Sequence, residues 1–282
     1  MTSPQPIYRS DNTKAAYQLD WSLSVFWHGT EVDASRWLDQ LKSATEPDGV
    51  RILEHRLEAD NVSQFFVSTI PGVAPSQLIR SIKGRLQHSI RSERPKAFRR
   101  NYSLHSIGSA TRETVEEYVA SQTNRHVMAD PRVQAQLEDL RVSDESVDLG
   151  RIRRSGHGEF RFNLHVVFAR RDREIDLEPT RLRSMQDMIV RCAEKKGHLL
   201  SRASIVADHL HMTLGCGVSE SPEEIALAYM NNLAFSQGMK SIFEFSYYVG
   251  TIGEYDRGAV RRGLAASRRP TGTRPAEAEE HE

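Results

Sequence analysis

Apolar and polar positions along this chain alternate between two periods, and the switches mark its elements. Residues 19–27 alternate and are rich in aromatics, the mark of a half-buried strand. Residues 33–44 place apolar side chains three and four apart behind an aspartate able to cap a helix. Residues 51–57 and 63–70 alternate again on either side of Asp60-Asn61, as two strands. A helix with proline at its start is expected over 75–90, a strand over 102–107, and a helix over 111–122. The order then recurs: strand 160–169, helix 178–196, strands 198–204 and 209–215, helix 222–235, strand 245–251 and a weakened helix near 257–266.

The recurrence is an internal repeat offset by about 145 residues. Phe98-x-x-x-x-Ser103-Leu104-His105-Ser106-Ile107-Gly108 lies over Phe243-x-x-x-x-Tyr248-Val249-Gly250-Thr251-Ile252-Gly253, and the start of helix 75–90 lies over that of 222–235. Few letters are shared; the order of elements carries the match. The copies also differ in a complementary way. The second holds His209 and His211 where the first has Val62 and Gln64; the first holds Tyr118 and Gln122 where the second has Gly263 and Ser267. Each copy predicts a ferredoxin-like α+β unit, an antiparallel sheet under two helices. The expected organisation is a disordered lead (1–15), a first domain (16–123), a connector with a helical piece (124–155), a second domain (156–266) and a disordered tail (267–282), the two domains in tandem forming a pseudo-dimer with one composite site.

Composition narrows this only partly. The chain has 282 residues, 38% hydrophobic and 27% charged, enough for two soluble globular units. No apolar run reaches the length of a membrane span, and the first residues lack a signal-peptide pattern, so no membrane partner is expected. Two cysteines, Cys192 and Cys216, form no metal spacing or disulfide framework, which points to the reducing cytoplasm. Net charge is zero, yet between Arg80 and Arg100 eight Lys/Arg face a single acid, Glu93. Arg80, Lys83, Arg85, Arg99 and Arg100 there are candidates to track a nucleic-acid backbone; a solvated helix face is the alternative.

The chemistry-bearing residues are few. A His-x-His pair on a strand points both imidazoles to one face, because side chains alternate. His209 and His211 could therefore share a divalent metal if a third ligand joined them; partly buried, hydrogen-bonded histidines are the alternative. Tyr118 and Gln122, four apart on a helix, lie one turn apart on one face. An amide oxygen suits a hard cation such as Mg2+ or Mn2+, and tyrosine is a known type of covalent nucleophile, although Tyr118 could equally pack on the sheet. Asp208 is placed to orient a histidine, or merely to begin the strand. His55, His88, His105, His126, His157 and His165 lack paired spacing and read as structural or surface residues; Trp21, Trp27 and Trp37 read as core.

Together the run Asp208-His209-Leu210-His211, the turn Tyr247 to Glu254, the helix end Glu116 to Gln122 and the segment Ser81-Ile82-Lys83-Gly84-Arg85 resemble the single-tyrosine HUH transposases, a family that includes insertion-sequence and REP-associated tyrosine transposases. The resemblance spans nearly all of the chain outside lead, connector and tail. It implies cutting and rejoining of single-stranded or hairpin DNA through a 5′-phosphotyrosine link. It also implies Tyr118 as nucleophile, a divalent metal (Mg2+ or Mn2+) on His209, His211 and Gln122, and sites shared between two units, here within one chain. The losses at Val62/Gln64 and Gly263/Ser267 leave the second family-type site dead. The competing reading is a catalytically inactive, domesticated protein that binds single-stranded or hairpin DNA. A two-histidine phosphoesterase is a weaker rival: His211-Met212-Thr213 has only His28-Gly29-Thr30 as a partner, with glycine at the usual apolar position.

Overall fold

The computed structural model describes residues 5–59, 61–256 and 258; the helix expected near 257–266, the tail, Gly263 and Ser267 lie outside the described residues. The chain runs through β1 (Lys14–Gln18), β2 (Asp20–Trp27), α1 (Leu38–Thr45), β3 (Val50–Ala59), β4 (Val62–Thr69), α2 (Pro75–Ile90), β5 (Phe98–Ile107), α3 (Arg112–Ala120), α4 (Gln122–Arg125), α5 (Pro131–Asp139), β6 (Val142–Ser143), β7 (Arg153–Ser155), β8 (Gly158–Arg161), β9 (Asn163–Ala169), α6 (Pro179–Lys196), β10 (Leu199–Ile205), β11 (His209–Gly215), α7 (Pro222–Ser236) and β12 (Ser246–Ile252). The strands form two six-stranded sheets, ordered β3-β4-β2-β5-β8-β7 and β1-β12-β9-β11-β10-β6. The class is α+β, as the alternating and helical periods require.

Alternation sets which face each strand buries. In β9 and β11 the apolar set Leu164, Val166, Phe168, Leu210, Met212 and Leu214 is fully buried, as are Leu182, Ile189, Ile225, Met230 and Leu233 of α6 and α7. Helix α7 begins with a capping box between Ser221 and Glu224, and α6 ends at Gly197, whose left-handed φ of 67° suits glycine. The first sheet buries Trp21, Leu23, Val25 and Trp27 with the apolar residues of α2. All belong to one continuous apolar cluster.

Four expectations need correction. The strand expected over 160–169 is two strands. Phe162 is fully buried against Trp21, ring centres 5.1 Å apart, and the chain changes sheets there: β8 pairs parallel to β5, while β9 lies inside the second sheet. The lead is ordered over its described residues. Tyr8 is 1% exposed, its hydroxyl accepts from the Phe243 N–H at 2.7 Å, and the Asn231 amide accepts from its N–H (3.0 Å) and donates to its carbonyl (2.8 Å). β1 then adds parallel to β12. The connector is likewise built in, since β6 pairs with β10 and β7 with β8. Finally, the helices expected over 33–44 and 111–122 are interrupted: a 3-10 turn capped by Asp33 precedes α1, because the indole of buried Trp37 donates to the Val32 carbonyl, and the latter helix breaks at Ser121.

The two sheets meet through reciprocal contacts. The Ser106 hydroxyl donates to the Ile252 carbonyl and Thr251 to that of Ile107, each at 2.6 Å. Ser106 accepts from the Asn163 N–H and Thr251 from the Asp20 N–H, at 3.1 and 2.9 Å. The two Ile-Gly turns that define the repeat therefore face each other, and each sheet takes a parallel strand from the other half, β1 on β12 and β8 on β5.

Candidate functional site

Helix α3 is carried onto the second sheet by its first turn. Thr111 caps it, the Arg112 N–H donates to the Gly253 carbonyl at 2.7 Å, and the Arg112 guanidinium holds Glu116 at 2.7 Å and Glu254 at 3.4 Å. The helix thus crosses β10 and β11 on the face opposite α6 and α7. Because His209, His211 and His165 alternate with the buried apolar positions of β11 and β9, they point to this same face.

There Tyr118 and the histidines meet. The Tyr118 ring stands edge-on to His211 at 5.5 Å and to His165 at 6.1 Å. His209 lies 4.9 Å from His211, and His126, just past α4, lies 4.9 Å from His209. Tyr118 is 37% exposed and so remains open to a ligand; Arg125 sits over its ring at 5.0 Å. The phenol and the His-x-His pair come from opposite halves of the chain.

Each histidine of the pair is held from behind. Asp208 Oδ1 lies 2.6 Å from His209 Nδ1, while Arg173 donates to Asp208 Oδ2 at 3.1 Å. Burial opposes the charge on Asp208, but the bonds from His209 and Arg173 outweigh it and keep the carboxyl below its ordinary range. His209 Nδ1–H therefore donates to a carboxylate, which leaves the Nε2 lone pair free. His211 Nδ1 is 3.0 Å from His165 Nε2, with the ring planes within 13° of parallel. Burial, then the neighbouring histidines, push His211 down to about 2; burial alone holds His165 at about 4. Burial also lowers His209, against the pull of Asp208. Burial thus favours the neutral form of His165, His209 and His211, the form in which imidazole ligates a metal.

Gln122 begins α4 after the break, fully buried, and its Nε2 donates to the Tyr118 carbonyl at 2.9 Å. Its Oε1 is buried without a partner. An orphaned buried acceptor costs about 1–3 kcal/mol, so an electrophile is wanted there. Among the described residues no three His, Cys, Asp or Glu side chains are arranged to hold a metal. A third donor would have to come from another residue type, and the unpartnered Gln122 amide oxygen, on the chain just past Tyr118, is of a kind that suits a divalent cation.

The basic segment is divided. Arg80, Arg99 and Arg100 are exposed. Arg85 and Lys83 are engaged within the protein: Arg85 grips Asp48 with two bonds of 2.6 and 2.7 Å, and Lys83 donates to the carbonyls of Arg99, Arg100 and Asn101 at 2.8–3.2 Å. Burial lowers the Lys83 ammonium pKa accordingly. His28 lies beyond β2 in the first sheet, outside the cluster, so the phosphoesterase reading finds no second histidine. Sequence reasoning missed His165 and His126. His165 carried a usable signal, its place on the polar side of an alternating strand; His126 carried none.

In the first sheet the ladder puts Gln64 opposite Ser24, as it puts His211 opposite Val167 in the second. Gln64 there donates to Ser22 at 2.6 Å and accepts from Arg56 at 2.6 Å, a closed polar network in place of an imidazole pair.

Among known proteins, residues 28–122 match the family model "Transposase IS200 like". No curated protein matches the chain. A solved transposase candidate from Deinococcus radiodurans R1 is 16% identical over 38% of this chain and 92% of its own, with a TM-score of 0.30. A REP-associated tyrosine transposase solved with a REP hairpin is 12% identical over 36% of this chain and 62% of its own, again at 0.30. Among the described residues no helix is long and apolar enough to cross a membrane.

Proposed function

We propose, from the match of residues 28–122 to the IS200-like transposase family model, that the whole chain is a tandem pair of such units, a pseudo-dimer with one composite site that cuts and rejoins single-stranded or hairpin DNA. The observation that carries this reading is the Tyr118 ring, from the first half, edge-on to His211 of the second at 5.5 Å. The reciprocal Ser106–Ile252 and Thr251–Ile107 bonds support the pairing of the two units.

In this reading Tyr118 is the nucleophile. Its hydroxyl oxygen bonds to the scissile phosphorus as the bond to the 3′ oxygen breaks. The phenolic proton passes to solvent, and the departing 3′ oxygen takes up a proton. The 5′ phosphate stays on Tyr118, ready for the reverse attack. A divalent cation, Mg2+ or Mn2+, held by His209, His211 and Gln122 would polarise the diester and orient it. Asp208 orients His209, and Arg125, on the exposed side of the phenol, offers a cation to the incoming phosphate. Arg80, Arg99 and Arg100 are exposed and can contact the DNA backbone. The soluble cytoplasm is the setting this chemistry suits.

The test is a covalent adduct. Labelled single-stranded or hairpin DNA incubated with the protein and Mg2+ or Mn2+ is expected to give a species stable to denaturation, and Tyr118→Phe is expected to abolish it while still binding DNA. Wild-type protein that binds DNA but forms no adduct in either metal would sink the enzyme reading and leave a DNA-binding protein.

A further inference from the structure

His165 is the least expected member of the cluster. It sits on β9, one strand away from the His-x-His pair, and its Nε2 is 3.0 Å from His211 Nδ1, with the ring centres 5.3 Å apart and the ring planes within 13° of parallel, so that the two nitrogens face each other in line. Each ring carries one proton when neutral, and a single proton lies between the two facing nitrogens. Only two arrangements satisfy that. Either His211 Nδ1–H donates to His165 Nε2, which frees the His211 Nε2 lone pair, or His165 Nε2–H donates to His211 Nδ1, and then His211 Nε2 carries the hydrogen.

The surroundings favour the first. His209 is bound to Asp208 through Nδ1, so its Nε2 is the free nitrogen, and His209 and His211 lie 4.9 Å apart on one face. His211 can join it only if it too exposes a bare Nε2. His165 is also fixed in place: Tyr248 lies edge-on to it at 5.7 Å and Tyr118 at 6.1 Å. The Tyr248 ring occupies the space over Gly250, the residue paired with His165 across the ladder, where a Cβ would lie 3.0 Å from the ring carbon bearing the hydroxyl.

We propose that His165 is a positioning residue: it accepts the His211 Nδ1 proton, fixes the tautomer and plane of that ring, and so does for His211 what Asp208 does for His209. The two ligands then have dissimilar supports, one a carboxylate and one a neutral imidazole. An imidazole acceptor leaves His211 a weaker electron donor than a carboxylate would, because it adds no negative charge behind the ring. The inference rests on the proposed function in that it gives the His-x-His pair its ligand role.

Nitrogen-15 NMR of histidine-labelled, metal-free protein at pH 7.5 tests it without any turnover. His211 is expected to carry its proton on Nδ1 and His165 to have Nε2 bare; a proton on His211 Nε2 overturns the inference. Mn2+ titration supplies the second readout. His165→Leu, which keeps bulk but cannot accept, is expected to weaken Mn2+ binding by about 10–100-fold, and His165→Gln, whose amide oxygen can accept, to restore most of it. A leucine variant that melts like wild type and binds Mn2+ equally well overturns the inference and leaves the proposed function standing. Wild-type protein that binds no Mn2+ would instead end the proposed metal role, while the tautomer would still report on His165.

Discussion

At the level of single residues, burial of imidazoles sets the acid stability of the chain. His105, on β5, is held down to about 4 by burial and by Arg161, with Glu159 opposing, and its Nδ1 is buried without a partner. Its ordinary value is 6.5, so between 6.5 and about 4 the unfolded chain binds the proton and the folded one does not. The stabilisation by the neutral ring is complete above that window and is lost as the pH falls through it. A melting temperature lower by roughly 5 °C or more at pH 5 than at pH 7 is expected, and His105→Gln, which cannot titrate, should flatten the drop. An unchanged slope in the variant would assign the acid lability elsewhere. Tyr8 offers a second case. Its hydroxyl both accepts from and donates to the Phe243 backbone. Tyr8→Phe should cost about 1–3 kcal/mol in urea unfolding, because a buried N–H is left orphaned.

Among the elements, glycines at the junction between the sheets contrast with a glycine inside α2. A Cβ at Gly253 would overlap the Ser106 carbonyl oxygen, and one at Gly108 would lie 2.6 and 2.9 Å from the carbonyl oxygens of Ala110 and Thr251. All of these neighbours are backbone and cannot swing aside. Gly253→Ala should therefore destabilise by about 1–3 kcal/mol and disturb α3, whose first N–H donates to the Gly253 carbonyl. Gly84 lies inside α2 with nothing within 4 Å of an added Cβ. Gly84→Ala should stabilise by about 0.5–1 kcal/mol, since it only removes freedom from the unfolded chain. Equal effects at the two positions, read by chemical denaturation, would refute the junction argument. Elements also show where periodicity misleads. Residues 160–169 keep one continuous alternation, yet Phe162 turns the strand from one sheet to the other because its ring fills a site beside Trp21. Ser121 breaks a helix whose apolar spacing continues through it, and the break lets Gln122 donate back to the Tyr118 carbonyl.

For the whole molecule, the exchange of β1 and β8 makes the halves interdependent. The first sheet loses β8 and β7 if the chain is cut near residue 124, and the second loses β1 and the Tyr8 clamp. Residues 1–123 and 124–282 made separately should each show poor amide dispersion in NMR, and mixing them should restore the dispersion of the intact chain. Halves that fold separately would show that the parallel strands are ornaments and not part of each core. The junction of the two Ile-Gly turns also anchors α3 over β10 and β11, through the Arg112 N–H bond to the Gly253 carbonyl.

The residues themselves determined the local story: where the chain alternates, where it turns helical, that His209 and His211 share a face, that Trp21, Trp27 and Trp37 are core, and that the two halves carry complementary parts. Those features depend on neighbours within a few positions, and a sequence displays such neighbours directly. Tertiary structure alone decided the rest. The lead folds because Tyr8 meets Asn231 and Phe243, and Lys83 and Arg85 are bonded to the carbonyls of β5 and to Asp48. His165 and His126 join the pair because separate elements converge on one sheet face. In each case the deciding partner is distant along the chain or lies on another element, and the free energy of a buried polar contact belongs to the pair; no single position in a sequence announces it.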